Sequence, residues 1–184
     1  MTTETSETVE TRLGPAIART DRGAMSFTML PEFDAPRERV FDAFASCEAI
    51  SRWWGPTDWT LPHCEMDFRP GGTWLYAMRA PAGLIGPNGE DPWDAWGKIY
   101  YDEIERPTKL VYRDFFVDPN GIEIPGMPES NSTVSFVDLG GRTNLISTTR
   151  YASVEALEQV LAMGMAEGYA QTLERLDADL AASA

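Results

Sequence analysis

Histidine and cysteine are nearly absent from this chain: one histidine, His63, and two cysteines, Cys47 and Cys64, in 184 residues. A lone imidazole leaves any Ser–His or Cys–His nucleophile a single candidate base, and strand alternation turns His63 to the face opposite Cys64. His63, Glu65 and Asp67 share a strand face without a second histidine, a poor match to zinc spacings, so a solvated face and no metal are expected. Two cysteines do not make a disulfide framework and are expected as free buried thiols. Positive charge is also scarce, with 15 Lys and Arg against 29 Asp and Glu and a formal net charge of −14. An acidic surface repels phosphate backbones and anionic lipid, so neither nucleic acid nor a membrane surface is an expected partner. No apolar run approaches the roughly 20 residues that span a bilayer. The Thr- and Glu-rich start has no cationic segment ahead of an apolar one, and a cytoplasmic location is expected. Without a Gly-x-Ser-x-Gly elbow or a phosphate-cradling glycine loop, no cofactor is expected.

What the chain does have is apolar and aromatic bulk, 43% and 11% of its residues, enough for one domain with a sizeable core. Its most informative stretch runs from Met66 to Met78, two alternating segments around Pro70-Gly71-Gly72, which reads as a β-hairpin. Both glycines are expected to supply the positive φ of the turn. Cys64, Met66 and Phe68 fall on one strand face, and Trp74, Tyr76 and Met78 share a face of the other.

Around this hairpin the pattern is α+β. Residues 1–22 are polar and without periodicity and are expected as a mobile arm, with a single domain over 23–184. A strand over 25–33 is followed by two short helices, 36–45 with Asp34 as cap and 48–54. Strand-like runs cover 59–68, 73–79, 94–104, 109–117, 132–139 and 143–151, separated by turn signals and by two long Pro- and Gly-rich loops, 80–93 and 118–131. One long helix follows over 154–181, with Ser153 as N-cap. Gly164 and Gly168, a turn apart inside it, point to a close approach or to space kept open for a ligand. A curved antiparallel sheet of about seven strands needs a cover on its apolar face, and this helix is the only element long enough.

Arg52-Trp53-Trp54-Gly55-Pro56, then Glu65 through Trp74, then Met78 through Gly83 resemble the bacterial homologues of the heat-shock-protein ATPase activator. Gly97, the run Glu103 to Pro107, Leu110-Val111, the strand 133–137 and the segment from Ser153 to Leu176 continue the resemblance in order, over about residues 25–181. These proteins belong to the START-like (SRPBCC, polyketide-cyclase-like) helix-grip superfamily. The resemblance implies a sheet gripping a C-terminal helix over an internal cavity, without implying one activity. The chain departs from the family at Tyr169, where Trp is usual, and in a longer loop after Arg79 carrying Trp93 and Trp96.

Trp54, Met66, Phe68, Trp74, Tyr76, Met78, Trp96, Tyr112, Asp114, Phe116, Met165 and Tyr169 are the candidate ligand-binding residues: apolar walls with a few polar groups. Trp53 and Trp54 are expected to anchor the short helices on the sheet, with one ring near the cavity mouth. Asp114 shares strand parity with Leu110, Tyr112 and Phe116 and can point inward, with Arg113 and Arg150 as candidate partners. The leading expectation is a binder of a small, largely apolar molecule. Two others stand beside it: a cofactor-independent cyclase, hydrolase or isomerase using the same cavity, and an interaction domain whose partner is a chaperone or a second copy of the chain. The third relies on Trp93 and Met127 forming an exposed patch.

Overall fold

The computed structural model describes residues 8–184. One antiparallel sheet dominates. Its strands are β1 (Thr8–Leu13), β2 (Ala16–Asp21), β3 (Ser26–Leu30), β4 (Glu32–Phe33), β5 (Thr60–Met66), β6 (Thr73–Arg79), β7 (Asp94–Glu105), β8 (Lys109–Phe116), β9 (Ser130–Asp138) and β10 (Thr143–Arg150). Their spatial order is β1-β2-β3-β10-β9-β8-β7-β6-β5, with β4 beside β10. The helices are α1 (Arg37–Asp42), α2 (Cys47–Ile50), α3 (Val154–Ala162) and α4 (Met165–Ala182).

The sheet has ten strands rather than about seven, for two reasons. Pro31 has no N–H to give to a ladder, and the first expected strand divides there into β3 and β4. Residues 8–21, expected within a mobile arm, form a hairpin that pairs onto β3. Every β1 residue up to Arg12 is exposed, so no apolar alternation marks it; Ala16 and Ala18 of β2 supply the only buried side chains. The first seven residues of the expected arm lie outside the described residues.

The β5–β6 hairpin forms with Met66 opposite Trp74 and Cys64 opposite Tyr76, which brings the two apolar faces together. Only Gly71 takes the left-handed conformation, at φ 78°. Gly72 serves differently: a Cβ there would strike the Asp67 carbonyl. Helix α1 begins at Pro36 with no side-chain cap, so the expected Asp34 cap is absent. Ser46 caps α2, accepting from the Ala49 N–H at 3.2 Å.

Cys47 on α2 and Cys64 on β5 are joined by a disulfide, with Cα atoms 5.8 Å apart, correcting the expectation of free thiols. Their pairing depends on α2 folding back onto β5, which nothing local in either segment announces. Disulfides persist mainly in oxidising compartments, so cysteine usage no longer speaks for the cytoplasm. Among the described residues no helix is long and apolar enough to cross a membrane.

The C-terminal helix is two helices. Ser153 caps the first as expected, accepting from Ala156 N–H at 3.1 Å. Gly164 then sits at φ 81° and breaks the axis between α3 and α4. A left-handed residue costs an L side chain about 1–2 kcal/mol and glycine almost nothing, which explains why the break falls here. Leu173, Leu176 and Leu180 on the later turns of α4 are buried in the same core cluster as Phe27, Met29 and Val134 of the sheet.

Candidate functional site

The inner face of the sheet changes character along its strands. Leu110 on β8 lies opposite Val134 on β9, which lies opposite Ser147 on β10. Two residues along, the row is Tyr112, Ser132 and Thr149; Asp114 then faces Ser130 on β9 and Ile99 on β7. Leu110 and Val134 on β8 and β9 thus give way to hydroxyls and a carboxylate, and at that end the face borders a cavity of about 330 Å³.

Three elements close it. Tyr76, Met78, Tyr112 and Phe116 rise from β6 and β8, with Ala95, Trp96 and Gly97 of β7 between them and the Trp96 ring against His63 (centroids 5.0 Å apart); Trp54, Pro56 and Trp59 come from the segment after α2. Val160, Met163, Gly164, Met165, Gly168 and Tyr169 roof it from the α3–α4 junction. Met163 is 54% exposed, so the wall reaches solvent there. Both helix glycines border open space. A Cβ at Gly164 would meet nothing within 4 Å, and one at Gly168 only Pro56 at 3.4 Å.

Two contacts fix the wall. Arg175 of α4 donates from one guanidinium nitrogen to the carbonyls of Gly55 (2.9 Å), Pro56 (3.1 Å) and Trp59 (3.1 Å), which ties the post-α2 segment to the helix. Gly97 lies opposite Tyr76 across β6–β7, and a Cβ at that position would run into the phenol ring. Glycine there lets the ring lie flat over the neighbouring strand and carry its hydroxyl to Asp114.

The Tyr76 hydroxyl donates to Asp114 Oδ2 at 3.2 Å. Protein surrounds Asp114 on all sides, yet the side chain keeps an accessible face because it borders the void. Burial pushes its carboxyl up to about 7, outweighing the lowering by the Tyr76 hydroxyl and the Phe115 backbone N–H. Burial likewise raises the phenols of Tyr76 and Tyr112, with the Asp114 charge adding to both. Tyr169 is pushed up to about 12 by burial, against the lowering by its 2.9 Å hydrogen bond with Ser147. All three stay protonated near neutrality.

Of the twelve candidate residues, Met66, Phe68 and Trp74 stand away from the cavity wall, and the rest line it. Phe68 packs edge-on to Phe41 and Tyr101, and Met66 packs against the core. Trp74 is 1% exposed, stacks on Tyr76 and points its indole N–H at Cys64 Sγ. They share the inner face with Tyr76 but lie nearer the turn, where α1 and α2 fill the space. Trp53 and Trp54 divide as expected: Trp53 is fully buried and donates to the Ala43 carbonyl at 3.0 Å, while Trp54 lines the cavity.

Neither expected arginine reaches Asp114. Arg113 points to the outer face and pairs with Asp102 at 3.0 Å, and Arg150 is exposed. Trp93 folds against Trp59, with ring centroids 5.3 Å apart, instead of standing free on the surface. Ser130, Ser132, Thr149 and Tyr151 line the cavity without having been expected there. For the first three the signal was available: small hydroxyls at inward parity on adjacent strands leave volume where Leu or Val would fill it. Among the described residues no group of three or more His, Cys, Asp or Glu could hold a metal ion.

A ten-stranded antiparallel sheet closed by C-terminal helices over a cavity defines a START-like helix-grip protein. The sequence profile of the family described as "Activator of Hsp90 ATPase homolog 1-like protein" matches residues 34–181, and the chain belongs to that family. Similar solved structures come from bacteria. A crystal structure of a protein from Mycobacterium smegmatis superimposes with a TM-score of 0.77 at 28% identity, covering 92% of this chain and 96% of that one. A solution structure from Arthrobacter aurescens gives 0.75 at 31%, covering 89% and 90%. A family protein from Silicibacter pomeroyi, at 18% identity, 86% and 99% coverage and a TM-score of 0.65, shares the fold. No functionally curated protein matches the chain.

Proposed function

We propose that this protein binds a small, largely apolar molecule in the cavity between the sheet and the α3–α4 junction. The observation that carries the reading is the cavity itself. Its volume of about 330 Å³ lies within the range of small-molecule pockets, and its wall combines aromatic and methionine side chains with one carboxylate and several hydroxyls. Burying about 200 Å² of apolar ligand surface at about 25 cal/mol per Å² contributes about 5 kcal/mol before ordering losses are deducted. Asp114, Tyr76, Tyr112 and Tyr169 then set orientation. Native mass spectrometry of protein purified without denaturant tests the proposal: a stoichiometric small molecule released on unfolding supports it. A protein that carries no ligand and gains no thermal stability from a panel of apolar metabolites sinks it.

A second reading is favoured by one specific feature, the Asp114 carboxyl held near 7 beside a phenol. A carboxyl with that affinity for protons is suited to general acid–base work at neutral pH, as a cofactor-independent enzyme in the same cavity requires. Asp114→Asn separates the two readings once a ligand is known. A binder keeps the molecule intact in both proteins, whereas an enzyme converts it and loses turnover in the variant.

A further inference from the structure

We propose that the molecule this cavity takes carries a protonated amine on an apolar body, held against the Asp114 carboxylate and enclosed by aromatic side chains. The inference rests on the cavity being the binding site and names the chemistry of its occupant. Among the described residues, Asp114 is the one acidic or basic side chain in the wall. A carboxylate offers about four lone-pair sites, yet its one side-chain donor is the Tyr76 hydroxyl at 3.2 Å. Among the described residues no cation balances it: Arg113 serves Asp102 on the outer face, and the wall holds no Arg, Lys or His. A carboxylate facing a largely apolar void without a counter-charge is costly, and a bound cation supplies what the fold leaves out.

The surroundings fit the same occupant. Trp54, Tyr112 and Phe116 line the void, and aromatic rings attract cations through their quadrupoles. The net charge of −14 lowers the cost of bringing a cation to the protein and raises that of an anion. A carboxylate ligand would face Asp114 with like charge, and a neutral alcohol would gain one hydrogen bond without the charge or the cation–π attraction.

Proton linkage gives the proposal a signature. The titratable groups around Asp114 are Tyr76 from β6, Tyr101 from β7, Tyr112 on its own strand and Tyr151 beyond β10, all phenols raised mainly by burial. Asp114 therefore titrates alone near neutrality, with its carboxyl at about 7. As pH falls from about 8 to about 6, its ionised fraction drops about tenfold, and affinity for an amine drops with it.

Isothermal titration of the full chain with phenylbutylamine, phenylbutanol and phenylbutyrate tests this. At about pH 8 the amine is expected to bind at least about tenfold more tightly than the alcohol. Asp114→Asn is expected to remove that preference, bringing amine and alcohol to within about twofold of each other. In the wild-type protein, where folding of the variant does not enter, amine affinity is expected to fall about tenfold by about pH 6 and alcohol affinity to stay level. Equal binding of amine and alcohol, or tightest binding of phenylbutyrate, overturns the amine and leaves an apolar binder standing. Failure of all three probes overturns the amine and the binding reading together.

Discussion

The inner face of the sheet has two ends built from the same strands in the same register. At one end Leu110, Val134 and Leu145 are at most 1% exposed, and Phe136 packs edge-on against Phe41 and Phe44 from the α1 region. At the other, the equivalent inward positions hold Ser132, Thr149, Ser130 and Asp114, and the helix above breaks at Gly164 instead of continuing. The first end satisfies close packing; the second leaves about 330 Å³ unfilled and keeps an acid that burial disfavours. Backbone geometry does not separate them. Side-chain volume and the helix break do, so one sheet provides a close-packed core at one end and an open cavity at the other.

That contrast can be pressed hardest at Phe136. Phe136→Ala is expected to cost about 3–5 kcal/mol in chemical denaturation, because the void it leaves cannot be refilled. Asp114→Asn is expected to act in the opposite direction. The folded carboxyl holds its proton up to about 7 where the ordinary value is 3.8. The folded state therefore binds more protons across that window, and stability falls as pH rises from about 4 to 7. At about 1.4 kcal/mol per pKa unit, removing the charge returns up to about 4 kcal/mol above that window and little below it. Denaturation midpoints across pH for both proteins check the slope; an unchanged slope would place Asp114 in water.

The disulfide sharpens the comparison from a third direction. It spans 17 residues and ties α2, at the filled end, to β5. Replacing both cysteines with Ser is expected to cost about 3 kcal/mol through loop entropy, read as a lower midpoint with cavity binding retained. The smallest effect is expected at Met78→Ala. It enlarges an existing void and should cost about 1 kcal/mol, well below a Met truncation in a packed core.

Much of the fold was legible because each of β5 to β10 alternates and ends at a turn signal. The six expected runs match the observed strands to within a few residues. The N-terminal hairpin was hidden because β1 is an edge strand with almost no buried face. The cysteine pair was hidden because their meeting is a tertiary event. At the site, strand parity placed Tyr76, Tyr112, Asp114 and Phe116 together correctly. It also swept in Phe68 and Trp74, since parity reports which face a residue takes and not how far along the strand the space is filled. Gly164 was visible as an anomaly in a helix, and its left-handed φ turns that anomaly into the gap in the roof.

Methionines happen to mark both ends. Met78 and Met165 line the cavity, and Met29 on β3 is fully buried in the core. Methyl NMR of methionine-labelled protein titrated with phenylbutanol therefore tests the central claim, that one end of this sheet is a binding cavity. Saturable shifts are expected at Met78 and Met165, with Met29 unmoved. Silence at Met78 and Met165, or an equal response at Met29, would contradict it.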